Sequence, residues 1–239
     1  MILEYLLQRA DLWRGGAAPP VAGLPSGFAE LDAQFPGAGW PVGALSEILI
    51  DRNGIGELQL LMPILARLTW RDRWVAFIAP PYIPYAPALA RAGVNLAHVL
   101  VVHPRESNDA LWATEQALRA GVCGAVLAWP GEMRYPDLRR LQLAAEASPG
   151  LAVLFRTPQA AREASPALLR LLLGTADGGL AVHIVKRRGA PLAHPVLLQQ
   201  RVVAQPIAPF SIHSHDSSHA VDRDQPPAAS AGNLRPAHA

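Results

Sequence analysis

The chain is expected to fold as an α/β protein with a mainly parallel, helix-flanked sheet and an antiparallel edge. Three observations carry this. Apolar strand runs alternate with helical patterns through the first two-thirds of the chain. The central runs are continuously apolar, as strands covered on both faces require. Two late strand runs follow each other without a full helix between them. A length of 239 residues is enough for one domain of ordinary size with a proper core.

The elements follow in order. Residues 1–13 place Ile2, Leu3, Leu6, Leu7 and Ala10 at the spacing of a short amphipathic helix. Residues 15–25 are rich in Gly, Ala and Pro and form a linker. ALSEILI (44–50) is a strand, and 51–56 is a glycine loop. Residues 57–72 carry a helical pattern, with a kink expected near Pro63. WVAFIA (74–79) is a strand, 85–92 a short helix and HVLVVH (98–103) a strand. Residues 107–120 form the most regular helix, with Ser107 placed to cap it, Leu111, Ala113, Ala117 and Leu118 on one side, and Gly121 ending it. CGAVLAW (123–129) is a strand, 135–147 a helix and LAVLF (151–155) a strand. Residues 165–173 read as a short helix. LAVHIVK (180–186) and PVLLQQRVV (195–203) make the antiparallel pair, joined by RRGAPLAH.

From about Pro206 large apolar residues become scarce and Ser, Pro, Ala and His take over. Such a segment buries too little surface to fold alone, and its histidines (His213, His215, His219) read as part of a solvated tail. The division is therefore 1–23 for the N-terminal helix and linker, 24–205 for the core, and 206–239 for a disordered tail.

Composition narrows the class. Hydrophobic residues make up 51% and charged residues 17%, with a net charge of +2. So little charge fits either apolar surface covered by a partner or a genome that favours Ala and Leu. The single cysteine, Cys123, excludes an internal disulfide and a zinc cluster, and a reducing cytoplasm fits. The apolar run at 58–66 is short and broken by Gln59 and Pro63, so no membrane span is expected. MILEYLLQRADLW carries acidic residues and no basic leader, unlike a signal peptide.

The informative stretch is 24–56, LPSGFAELDAQFPGAGWPVGALSEILIDRNGIG. A strand, a glycine loop and a helix start together make an anion site, because backbone N–H groups converge there. A loop that handles ATP also needs Gly-Lys-Ser/Thr, whose lysine reaches the β/γ-phosphates and whose hydroxyl holds Mg²⁺. Here Asn53, Gly54, Gly56 and Glu57 stand at those places. Glu57 puts negative charge where phosphates would sit, and no Ser or Thr follows it. The loop therefore reads as degenerate, and no cofactor, catalytic residue or metal site is expected.

SGFAELD…GAGWPVGALSEI is similar to the opening of the RecA ATPase core, and HIVKRRGAPL resembles the RecA strand and turn that carries two lysines. The resemblance implies a RecA-like core over about 24–200. It also implies two further losses. Trp129 stands where a Walker B strand would end in Asp, and Pro80-Pro81 stand where a water-activating carboxylate would follow WVAFIA. The RecA lysines, which reach the neighbouring subunit's ATP, fall on Lys186 and Arg188.

Within that superfamily the chain resembles the ImuA family, which overlaps with SulA-like division inhibitors. LWRGG, APPYIPYAPALARAGV, DALWATEQALRAGVCGAVLAW and LRRLQLAAEA carry the likeness. It implies a non-catalytic accessory role in SOS-induced translesion DNA synthesis. The implied partners are an ImuB-type relative of Y-family polymerases, an error-prone DnaE-type polymerase and single-stranded DNA. The alternatives are a residual DNA-stimulated ATPase and a SulA-like inhibitor acting on the division protein FtsZ.

Residues put forward for DNA or partner contact are Lys186, Arg187, Arg188, Arg134, Arg139 and Trp13, the last as an anchor of the N-terminal helix. Trp40, Trp129, Tyr82 and Tyr85 fall at strand ends or loops, where aromatic rings stack bases or anchor partners. For Trp129 a plugged nucleotide pocket serves equally well.

Overall fold

The computed structural model describes residues 23–189 and 192–199. The expected N-terminal helix with Trp13 and the C-terminal tail lie outside the described residues.

The core opens with a small clasp. β1 (Gly23–Leu24) pairs antiparallel with β2 (Trp40–Pro41), with α1 (Ala29–Asp32) between them in the chain. The Ser26 amide donates to the Asp32 carboxylate at 2.8 Å, closing the Ser-Gly to Leu-Asp turn. Gly39 is required here, because a Cβ would meet the Leu24 carbonyl oxygen at 2.3 Å.

The main body then alternates. β3 (Leu45–Leu49) is followed by α2 (Met62–Thr69), β4 (Trp74–Ile78), α3 (Ala86–Arg91), β5 (Val99–Val102) and α4 (Ser107–Arg119). Next come β6 (Cys123–Ala128), α5 (Tyr135–Glu146) and β7 (Leu151–Arg156). β8 (Leu169–Ala176), β9 (Gly179–Lys186) and β10 (Val196–Gln199) complete the described part. The sheet order is β10-β9-β8-β3-β7-β6-β4-β5. From β8 to β5 neighbouring strands are parallel, and β9 and β10 extend the sheet by antiparallel pairing. The expected mixed α/β sheet with an antiparallel edge is what forms.

Alternation along the strands divides the core. Ile48, Phe77, Leu127 and Phe155 pack with Ile64, Leu65 and Leu68 of α2 on one face. Leu45, Ala76, Val126 and Leu154 pack with Leu138 and Leu141 of α5 and Leu118 of α4 on the other. Cys123 is buried in β6, and burial pushes its thiol pKa up, as suits a small apolar filler.

Two local expectations fail. The segment 165–173 is no helix, since Leu169–Ala176 is a strand, parallel to β3 and antiparallel to β9. LLRLLL has no period that separates helix from strand, and its place beside β3 decides the matter by burying Leu169 and Leu171 completely. The helix expected over 57–72 spans only Met62–Thr69. Pro63 lies in its first turn, where no backbone N–H is needed, so it starts the helix and causes no kink.

No helix among the described residues is long and apolar enough to cross a membrane.

Candidate functional site

β3 and β4 are consecutive in the sheet's parallel part but are separated in space by β7 and β6. Their loops diverge above the strand ends and leave a cleft, the usual ligand position of an open α/β sheet. The cleft measures about 1310 Å³ and is bordered by Asp51, Arg52 and Asn53 after β3, Pro81 after β4, Trp129 after β6 and Arg156 at the end of β7.

The glycine loop lies beside it. Gly54 and Gly56 adopt positive φ, 85° and 113°, so the backbone turns its amides inward. The acceptor they meet belongs to the chain itself. Glu57 Oε1 accepts from the Gly54 amide at 2.8 Å, and Oε2 accepts from the Gly56 amide at 3.1 Å. The Glu57 side chain is buried by this arrangement. A carboxylate thus fills the position where such a loop would hold an anion, and residues 57–61 form turns that hand the chain to α2.

Trp129 closes the same end of the sheet. Its ring is parallel to Phe155 at 4.2 Å between centroids and to Phe77 at 6.3 Å. These neighbours come from β7 and β4, on either side of β6, so Trp129 fills a row of rings. Trp40 is unavailable to a base. It is fully buried and packs against Phe35 at 5.0 Å.

Beneath the cleft lies an ionic network that no motif in the sequence singles out. Glu47, on central strand β3, is completely buried. Its Oε2 accepts from Arg170 Nε at 2.6 Å, and its Oε1 accepts from Ser165 Oγ at 2.7 Å and from Arg156 Nη1 at 3.4 Å. Arg156 also donates to Glu163 at 2.7 Å, and Arg170 donates to the carbonyl oxygens of Ala160 and Glu163. The available signal was a charge inside each of three apolar runs, SEIL, VLFR and LLRL, because buried charges are paired.

Part of the basic cluster is bonded within the fold. Lys186 donates to the Ser165 carbonyl at 2.7 Å. Partial burial, and then Arg170, hold its pKa below the usual lysine value against the pull of Glu47. Arg187 donates to the backbone and side-chain oxygens of Gln34 at 2.7 and 3.1 Å, tying β9 to the end of α1. Arg188 is half-buried in the following turn. Arg134 borders the cleft, is exposed, and lies 3.7 Å from Asp137 at the start of α5. Arg139 is exposed on α5, outside the cleft lining. The structure therefore brings Asn53 and Arg134 to one cleft and places Lys186 and Arg187 in internal bonds.

Comparison with known proteins places this geometry. A family model described as cell division inhibitor SulA matches residues 43–152. Cell division inhibitor SulA of Edwardsiella piscicida is 32% identical over 108 residues, covering 45% of this chain and 64% of that protein. Protein ImuA of Caulobacter vibrioides is 33% identical over 172 residues, 68% of this chain and 68% of that protein. The crystal structure of SulA from Pseudomonas aeruginosa is matched at 30% identity and a TM-score of 0.40, covering 47% of this chain and 97% of that one. The class so defined is that of SulA-like and ImuA-like α/β proteins. Since the ImuA match, at 33% identity, spans two thirds of both chains, this chain belongs to the ImuA family.

Proposed function

We propose that the chain is a non-catalytic accessory factor of SOS-induced translesion DNA synthesis, working in the cytoplasm by docking onto an ImuB-type relative of Y-family polymerases. The error-prone DnaE-type polymerase acts in the same assembly. The core on this reading is a RecA-like fold whose nucleotide loop is a relic. One observation carries the loss of catalysis: the Glu57 carboxylate occupies the Gly54 and Gly56 amides. An anionic phosphate would have to displace a covalently tethered anion, with no lysine in the loop to offset the repulsion.

The charge of the cleft favours a protein partner. Asp51, Glu132, Asp137 and Glu163 line it together with Arg52, Arg134 and Arg156. A phosphate chain calls for cations in excess, whereas alternating signs suit a polypeptide surface.

The test is an ATP binding and turnover assay, run alone, with single-stranded DNA, and with the purified polymerase partner. The expected result is no turnover in any arm and a stable complex with the partner. ATP hydrolysis that disappears in Gly56→Ala or Glu57→Ala would overturn the non-catalytic reading. Absence of a complex by calorimetry would sink the docking reading.

A second reading, a SulA-like division inhibitor acting on FtsZ, is favoured by the SulA match over residues 43–152. It requires cells that express the chain to form filaments without DNA damage.

A further inference from the structure

β4 leaves the sheet through Pro80-Pro81-Tyr82-Ile83-Pro84-Tyr85. No residue between Trp74 and Ala90 is charged. Burial explains this for most of β4 but not for the connecting segment. Tyr82, Ile83 and Tyr85 are 74%, 80% and 71% exposed. Single exposed apolar residues are ordinary, whereas a contiguous group of large ones marks an interaction site.

The segment is also held in place. Its prolines fix φ and restrict the residue before each of them. Ala79, just ahead, has a left-handed φ of 53°, a conformation that costs a non-glycine residue free energy. The Ala79 amide donates to the Val102 carbonyl at 2.9 Å. At the other end the Tyr85 carbonyl accepts from the amides of Ala88 and Leu89, at 2.9 and 3.2 Å. A segment ordered before binding loses little further entropy when it binds.

The geometry points to the 80–85 segment as a docking ridge that inserts Ile83, flanked by Tyr82 and Tyr85, into an uncharged apolar groove of a partner protein. The segment itself offers no cation to hold a phosphate chain, which favours a polypeptide as its occupant. The two tyrosine hydroxyls need acceptors at the groove's rim, which a polypeptide backbone supplies. Pro81 also borders the mixed-charge cleft, so the ridge starts at the cleft's rim. This inference rests on the docking reading above and names its surface.

The experiment measures the affinity of the full chain for the purified ImuB-type partner by calorimetry. Wild type is compared with Tyr82→Ala/Ile83→Ala and with the conservative Tyr82→Phe, alongside circular dichroism and sedimentation. Both side chains are exposed, so the variants are expected to melt like wild type. The double variant should lose at least about tenfold in affinity, while Tyr82→Phe loses much less. Equal binding by wild type and a folded double variant overturns the ridge and leaves the docking reading standing. No binding by wild type overturns the docking reading itself. If the double variant instead loses self-association at unchanged partner affinity, the ridge is an interface between copies and the inference fails.

Discussion

At the scale of single residues, a buried charge is stable only while its partners are present. Glu47 is completely buried and is bonded to Arg156, Arg170 and Ser165. Removing its charge leaves the buried Arg170 guanidinium without a carboxylate partner, while Arg156 keeps Glu163. Glu47→Gln is therefore expected to cost about 3–5 kcal/mol in urea unfolding. Adding Arg170→Met should recover part of that loss, because the stranded charge goes with it. A double variant less stable than Glu47→Gln would contradict the account. The presence of charges within SEIL, VLFR and LLRL was visible in the sequence. Their pairing was not, since Glu47 lies 109 residues from Arg156 and 123 from Arg170. Glu57 differs in this respect. Its partners are one and three residues away, so this contact lies within the reach of a local pattern.

At the scale of elements, α4 and α5 are joined by a charge contact across their packed faces. Glu115 of α4 is nearly buried and accepts from Arg140 Nε of α5 at 2.6 Å, with Arg119 at 2.9 Å one turn along α4. The Arg140 hydrogen bond is the main cause holding the Glu115 pKa below its ordinary value of 4.5, against desolvation. A carboxyl depressed in the folded state contributes stability above its unfolded pKa and loses it as pH falls through the folded one. Glu115→Gln should therefore lower Tm at pH 7, and its deficit should shrink as pH drops below 4.5. Thermal melts across that range check this, and a deficit that is constant with pH would refute it. Both helices were legible from their apolar spacing, because each buries one stripe. β8 was not legible, because LLRLLL suits a buried helix as well as a buried strand, and only its place beside β3 decides between them.

At the scale of the molecule, the two halves of the core share one sheet. Ile48 and Phe77 point into one cluster, while Leu45 and Ala76 of the same strands point into the other. Neither face can lose its packing without exposing strands that the other needs. Unfolding is accordingly expected to be a single transition, with tryptophan fluorescence and far-ultraviolet circular dichroism tracing coincident curves. Two separated transitions would show that the faces are independent.

The sequence by itself determined the alternation of strands and helices, the antiparallel edge and the missing lysine of the glycine loop. These are properties of neighbouring residues, written in local periodicity and chemistry. Only the tertiary structure decided that 169–176 joins the sheet beside β3, that Trp129 is enclosed between Phe155 and Phe77, and that Arg187 is bonded to Gln34. It also decided that Tyr82, Ile83 and Tyr85 stay in water. The reason is common to all four: burial and pairing depend on which distant strands become neighbours, and a linear pattern does not encode distance.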